Sequence, residues 1–198
     1  VSIEGTRQAY GRRAAEYAAR LGEVELLAPA DRRTIETWAD GVTGPILDLG
    51  CGPGQWAAHL AGRGHAVTGW DPVPAFVEAT RARGVPARTG QVADLSGTPG
   101  AWGGILAWYS LIHLEPAAMP AALADLHGAL KPGGQLLLGF FDISSSAEPF
   151  DHAVTRAYAW PCDVLAGMAA EAGFRIEQEE RRTDPGARPH AAIHARRP

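Results

Sequence analysis

The stretch Pro45-Ile46-Leu47-Asp48-Leu49-Gly50-Cys51-Gly52-Pro53-Gly54-Gln55-Trp56 constrains the fold more than any other part of the chain. Its first five residues are an apolar run with one acid, which reads as a buried strand. The exit carries glycines at alternate positions, Gly50, Gly52 and Gly54. Without a Cβ, such a segment turns sharply and lets a ligand approach the backbone. A helix carrying Trp56 and Leu60 follows, and its N-terminus offers free N–H groups to anionic or polar ligand atoms. The spacing is Gly-x-Gly-x-Gly, not the Gly-x-Gly-x-x-Gly of nicotinamide and flavin sites. Asp48 lies two residues before the first glycine. A carboxylate on an apolar strand costs free energy unless it is hydrogen-bonded or paired, and a cationic ligand group would supply that partner.

The rest of the chain alternates strands with helices around this turn. Tyr10, Ala14, Tyr17 and Leu21 share one helical face, within an N-terminal helical segment over residues 1–40. A second helix covers Asp31 to Ala39, with Asp31 as its cap and Ile35 and Trp38 turned inward. Strands follow at Ala66–Trp70 (ending at Asp71), around Pro86 to Thr89, at Gly104–Trp108 and at Gln135–Phe141. Between them run a helix with Phe76, Val77 and Thr80 and one from about Met119 to Leu130, which Lys131-Pro132-Gly133-Gly134 stops. Gln135–Phe141 is apolar nearly throughout, as a central strand covered on both faces is. A helix from Cys162 to about Ala172 shows a stripe of Leu165, Met168 and Ala172. Phe174–Arg181 and Ala191–Arg197 read as two last strands joined antiparallel through Asp184-Pro185-Gly186. The sequence thus predicts an α/β protein, a single domain over residues 1–198.

Composition excludes several partners. The 198 residues carry a net charge of −4, whereas a protein that neutralises many phosphates carries a basic surplus. The arginines Arg181, Arg182, Arg188, Arg196 and Arg197 read as a solvated strand face and tail. No apolar run reaches the roughly 18 residues that span a bilayer, and the polar start Ile3-Glu4-Gly5-Thr6-Arg7 is unlike a signal peptide. Two cysteines, Cys51 and Cys162, make neither a disulfide framework nor a zinc site. A cytoplasmic protein, monomer or homodimer, with neither nucleic acid nor membrane as partner, is the expectation.

These residues resemble motif I of the class I S-adenosylmethionine-dependent methyltransferases, as Asp48-Leu49-Gly50-Cys51-Gly52-Pro53-Gly54. The resemblance continues through Gly69-Trp70-Asp71-Pro72, Gly90-Gln91-Val92-Ala93-Asp94-Leu95, Ala107-Trp108-Tyr109-Ser110-Leu111-Ile112-His113-Leu114, Leu130-Lys131-Pro132-Gly133-Gly134 and Glu171-Ala172-Gly173-Phe174. It implies a Rossmann-like three-layer sandwich on a seven-stranded, mostly parallel sheet with an antiparallel last strand. S-adenosylmethionine is the implied cofactor, S-adenosylhomocysteine the product, and a small molecule the methyl acceptor at an O or N atom.

By that resemblance Gly50, Gly52 and Gly54 line the methionine and ribose portion of the cofactor, and Cys51 lends backbone. Asp48 orients the turn and the ligand's ammonium. Asp71, about 20 residues beyond the first glycine, takes the ribose hydroxyls; its structural alternative is a helix cap. Many relatives have Asp where Gln91 stands; its amide oxygen can accept the same bond from the adenine amino group. Val92 offers its N–H to the ring, Asp94 stabilises the following turn, and Pro72 and Ala107 complete the cofactor site. Tyr10 and Tyr17 fall in a stretch similar to the family's lid helix.

Methyl transfer needs alignment, and hydroxyl or ammonium acceptors must also lose a proton. His113, just past the fourth strand, is the candidate base; its alternatives are a helix cap or packing beneath the lid. Tyr109, Asp142, His152 and Trp160 are the candidate substrate contacts, with Phe150 and Tyr158 as further aromatic wall. His113, Asp142 and His152 lack metal-ligand spacing, so no metal is expected. His190 and His194 read as structural. Two other functions suit the same sequence: a non-methylating S-adenosylmethionine-binding protein or cyclase, and a NAD-dependent oxidoreductase.

Overall fold

A computed structural model describes Gly5, Tyr10, Gly11, Val24 and residues 28–152 and 154–198. Tyr17 lies outside the described residues. The elements, in order, are α1 (Pro29–Asp40), β1 (Ile46–Leu49), α2 (Gln55–Gly62), β2 (Val67–Asp71), α3 (Pro74–Ala82), β3 (Ala87–Thr89), a 3₁₀ turn (Val92–Gly97), β4 (Trp102–Trp108) and α4 (Met119–Ala129). Then come β5 (Leu130–Phe141), β6 (Glu148–Asp151), β7 (Arg156–Ala159), α5 (Cys162–Glu171), β8 (Arg175–Arg182) and β9 (His190–Arg196).

Seven strands form one sheet in the order β3-β2-β1-β4-β5-β9-β8. The first five are parallel, β9 runs antiparallel to β5, and β8 antiparallel to β9. This is the mostly parallel sheet with an antiparallel last strand that the sequence predicts. Successive residues supply opposite faces, as strand geometry requires. Leu47, Ile105, Leu136 and Leu138 pack with α4 and α5 on one face, while Ile46, Leu106 and Leu137 pack with α1 and α2 on the other. Each such side chain contributes about 1.5–3 kcal/mol by leaving water.

After β1 the chain builds outward through β2 to β3, then returns to lay β4 on the other side of β1. The carboxyl ends of β1 and β4 therefore flank a switch point, where ligands of open α/β sheets bind.

Four local details differ from the sequence expectation. Pro29 opens α1 two residues before Asp31, with Ala28 as N-cap and no side-chain cap, because a proline suits the first helical position. Asp31 instead receives Arg182 Nη2 at 2.6 Å. β5 starts at Leu130, which pairs with Trp102, and the next pair is Gly104 with Gln135; Lys131–Gly134 bulge out between the two. The inward face of α5 is Cys162, Leu165, Ala166 and Ala169, with Met168 and Ala172 of the expected stripe partly buried against the same core; small alanines let the helix approach the sheet. Finally, β6 and β7 form a separate antiparallel hairpin. Tyr158 N donates to Ile112 O at 2.7 Å and Trp160 N to Phe141 O at 2.9 Å. Those bonds tie the hairpin across the carboxyl ends of β4 and β5.

Candidate active site

The turn after β1 folds toward β2: the amides of Gly50 and Cys51 both donate to Trp70 O, at 2.7 and 3.0 Å. Gly50 has φ +71°, and a Cβ there would stand 2.3 Å from Ser110 Cβ, so the loop after β4 presses directly on the turn. Gly54, at φ +84°, is the N-cap of α2. A Cβ there would stand 2.6 Å from Thr80 Oγ1. Thr80 is fully buried and its hydroxyl donates to Gly52 O at 3.2 Å. Thr80 and Ser110 are turn-holding residues that the sequence did not single out as such. Only their long-range approach to glycines reveals them. The Cys51 thiol is buried between Thr80 Oγ1 at 3.4 Å and Gly52 O at 3.6 Å, and burial pushes its pKa up.

Two buried acids stand beneath. Asp71 accepts from Gly52 N at 2.9 Å and from Val73 N at 2.8 Å. It therefore ties the glycine turn and the start of α3 together while lining the pocket. Burial raises its pKa to about 6, against the two amides that lower it. Asp48 is raised to about 7, first by burial and then by the charge of Asp71. Its Oδ2 is buried without a hydrogen-bond partner among the described residues.

The pocket at the switch point is lined by Gly50 and Gly52 on its floor, and by Asp71, Pro72, Gln91 and Val92 on one side. Phe76, Trp108, Tyr109, Leu111 and His113 complete it with Tyr10 and Ser110. Ser110 Oγ is buried there with no hydrogen-bond partner among the described residues. Asp48, Cys51, Gly54 and Ala107 do not line this pocket. Ala107 is fully buried in the core, and Asp48 is 2% exposed near the end of β1. Gln91 is the N-cap of the 3₁₀ turn in a capping box with Asp94, whose Oδ2 accepts from Gln91 N at 2.9 Å. Asp94 thus holds the turn as expected, and the Gln91 amide oxygen already accepts one backbone bond.

His113 is fixed at both ring nitrogens. Nδ1 lies 2.7 Å from Arg156 O, and Nε2 lies 2.9 Å from Tyr10 Oη. A carbonyl only accepts, so Nδ1 carries the proton, and the Nε2 lone pair receives the Tyr10 hydroxyl. Burial lowers the His113 pKa, outweighing the bond to Arg156 O. The ring is neutral at pH 7, with its lone pair on the pocket side.

Beyond His113 the rings continue: His152 is 5.5 Å away by centroids, and Phe141 and Phe150 lie 6.1 and 6.2 Å from His152. Tyr109, at φ +56° the non-glycine residue with positive φ among those described, stacks 4.9 Å from Phe141. Its hydroxyl meets His190 Nδ1. His190, read from sequence as structural, therefore joins the pocket wall through Tyr109. His194 bonds Gln135 Oε1 at 2.7 Å.

The remaining substrate candidates are placed elsewhere. Asp142 accepts from Cys162 N at 3.2 Å and faces Arg181 at 3.8 Å. Trp160 is 4% exposed in the main core. Tyr158 is buried and its hydroxyl bonds Glu115. These three hold the hairpin, whose pairing sequence reasoning did not foresee. Among the described residues, no group of three or more His, Cys, Asp or Glu is placed to hold a metal ion, and no helix is long and apolar enough to cross a membrane.

The model of a family described as "Methyltransferase domain" matches residues 46–134. The chain is 46% identical over 56 residues to trans-aconitate 2-methyltransferase of Mycolicibacterium gilvum, over 27% of this chain and 22% of that protein. It is 32% identical over 108 residues to 2-heptyl-1-hydroxyquinolin-4(1H)-one methyltransferase of Mycobacteroides abscessus, over 51% of this chain and 48% of that protein. The matched region thus spans less than half the length of either relative. Among solved structures, the 1,6-didemethyltoxoflavin-N1-methyltransferase of Burkholderia thailandensis, with bound 1,6-didemethyltoxoflavin and S-adenosylhomocysteine, superposes with TM-score 0.77 at 21% identity, covering 100% of this chain and 91% of that one.

Proposed function

We propose that the chain is a class I S-adenosylmethionine-dependent methyltransferase and that, as one domain over residues 1–198, it methylates an O or N atom of a small-molecule acceptor. The observation that carries this reading is the placement of the His113 Nε2 lone pair on the wall of the same pocket as Gly50, Gly52 and Asp71.

The residues present fit the cofactor. Gly50 and Gly52 bring bare backbone to the pocket, Asp71 is a buried acceptor for hydroxyls, and Ser110 Oγ has no hydrogen-bond partner among the described residues. Leu49, Val73, Phe76 and Val92 are the apolar wall against which a flat base would lie. S-adenosylmethionine, when bound, would supply a sulfonium methyl for in-line transfer to an acceptor heteroatom, with the thioether of S-adenosylhomocysteine as leaving group. The protein's own part is alignment and proton removal. His113 takes the acceptor's proton at Nε2 while Arg156 O holds Nδ1–H, so the imidazolium that forms keeps a bond at that side. Tyr10 covers the same lone pair, and an acceptor O–H or N–H replaces its hydroxyl there. The small-molecule relatives named above act on hydroxyl-, carboxylate- or ring-nitrogen-bearing compounds by name, which supports this class of acceptor.

Calorimetric titration with S-adenosylmethionine and S-adenosylhomocysteine tests the cofactor half. Binding should weaken by about 1–3 kcal/mol in Asp71→Ala, the scale of a lost charged hydrogen bond. Absence of binding to the wild type overturns the proposal.

A further inference from the structure

Beside the cofactor pocket, the rings of Tyr109, Phe141, Phe150, His152 and His190 cluster at the carboxyl edge of β4 and β5. Their centroids are 4.9 Å apart for Tyr109–Phe141, 5.2 Å for Phe141–Phe150 and 5.8 Å for Phe141–His190. All five remain half-exposed. A cluster of aromatic rings that served only the core would be buried, as Trp160 next to it is. These rings instead pack at the rim of the core and stay partly accessible, and they continue to His113 through the 5.5 Å His113–His152 contact. Tyr109 lines the cofactor pocket as well as this floor. It holds a left-handed backbone to do so, a conformation that costs a bulky residue about 1–3 kcal/mol and that clusters at ligand sites.

Burial lowers the pKa of His190 as it does that of His113, so both rings are neutral at pH 7. Arg182, close to His190, is already matched by Asp31 at 2.6 Å and Asp184 at 2.8 Å. Arg188 is different: its guanidinium lies 4.2 Å over the Phe150 ring, at the outer edge. Among the described residues no carboxylate lies within ion-pair distance of it. A cation stacked on an aromatic edge and left without an acid is suited to an anionic group arriving on the same rings.

We propose that this floor receives a flat aromatic or heteroaromatic acceptor bearing an anionic substituent. Its ring packs against Tyr109 and Phe141, whose planes meet at 50°, and its charge lies beside Arg188, which sits over the Phe150 ring. The inference rests on the methyltransferase reading and names the acceptor class for it. The balance is that of the reaction above. The acceptor's O–H or N–H proton moves to His113 Nε2, its heteroatom pair forms the bond to the methyl carbon, and the broken C–S pair stays on sulfur as S-adenosylhomocysteine.

Binding to the S-adenosylhomocysteine complex tests it without needing the natural acceptor. The probes are 3-hydroxy-2-naphthoate (flat, anionic), 2-naphthol (flat, neutral) and cyclohexanecarboxylate (anionic, not aromatic), titrated by calorimetry or saturation-transfer NMR. The naphthoate should bind at least tenfold tighter than 2-naphthol, and cyclohexanecarboxylate should not compete with it. Arg188→Gln, an exposed change that leaves the fold and S-adenosylhomocysteine affinity intact, should erase the tenfold preference and leave 2-naphthol binding unaltered. Phe150→Leu should weaken both aromatic probes. Equal binding of the two naphthalenes, an unchanged preference in Arg188→Gln, or cyclohexanecarboxylate binding as well as the naphthoate would each overturn the acceptor class while the methyltransferase reading stands. Loss of S-adenosylhomocysteine binding by the wild type would remove that reading, and this one with it.

Discussion

Tyr10 and His113 meet hydroxyl to imidazole, with Oη 2.9 Å from Nε2, while Arg156 O takes the opposite nitrogen. The pair sets the tautomer: Nδ1 protonated, Nε2 a lone pair. A hydroxyl that donates to Nε2 stabilises the neutral ring, and burial acts the same way. His113 should therefore titrate below the ordinary 6.5. Long-range ¹H–¹⁵N NMR reads both the midpoint and the identity of the bare nitrogen. Tyr10→Phe removes the donor to the neutral form, so its midpoint should move upward. A wild-type midpoint at or above 6.5 would contradict the geometry, as would a bare Nδ1.

Asp48 gives the ligand-free protein a specific pH dependence. Its pKa in the folded state is raised from 3.8 to about 7. The folded protein therefore holds a proton that the unfolded chain has released over this interval. The associated stability is complete below about pH 4 and is lost as pH rises through 7. Denaturant unfolding should show the wild type losing stability between pH 5 and pH 8, on the order of 2–4 kcal/mol from this group. Asp48→Asn cannot titrate, so its profile should be flatter over that window. Parallel profiles for the two proteins would mean that Asp48 is not held as the structure shows.

The strand–glycine–helix unit and the switch point were legible in sequence because they are local. Asp48 and the glycines at alternate positions declare a turn, and the alternation of Ile46 with Leu47 or Ile105 with Leu106 follows from strand periodicity. The residues missed act across long separations. Ser110 packs on Gly50, 60 positions away, and His190 meets Tyr109 across 81. No spacing rule connects them. The β6–β7 hairpin was illegible for another reason. Four-residue strands, one of them containing Pro149, carry no period to read. It exists because Ile112 O and Phe141 O at the sheet edge accept its amides. The hairpin places Trp160 and Tyr158 within protein, while Phe150 and His152 are only partly buried.

Gly50 is where the fold admits least change. An alanine there would adopt φ +71° and bring its Cβ to 2.3 Å from Ser110 Cβ. The left-handed backbone and the overlap together should cost about 2–4 kcal/mol and abolish S-adenosylmethionine binding. Adding Ser110→Gly removes the overlapping atom. The double variant should recover the steric part of the loss in denaturant unfolding and retain only the backbone penalty. If Ser110→Gly restores nothing, the two segments do not press together as described.

Arg197 shows that the C-terminal arginines are more than a solvated tail. Its Nη1 donates to His127 O at 3.2 Å, Gly128 O at 3.1 Å and Leu130 O at 2.6 Å. These carbonyls belong to the last turn of α4 and the residue after it, where a helix leaves acceptors unsatisfied and carries a partial negative charge. One guanidinium answers both needs. The same residue is held by the sheet, since its N donates to Gly134 O at 2.9 Å and its O accepts from Gly133 N at 2.8 Å. It therefore ties the end of α4 to the strand edge beyond β9. Arg197→Ala should lower stability by about 1–2 kcal/mol and speed hydrogen exchange at the C-terminal end of α4. Arg197→Lys should recover part of the loss, because an ammonium keeps the charge but cannot span the three carbonyls as the planar guanidinium does. S-adenosylmethionine affinity should not change in either variant, because none of these atoms lines the pocket. An unaltered exchange rate in Arg197→Ala would show that the helix end has its partners elsewhere.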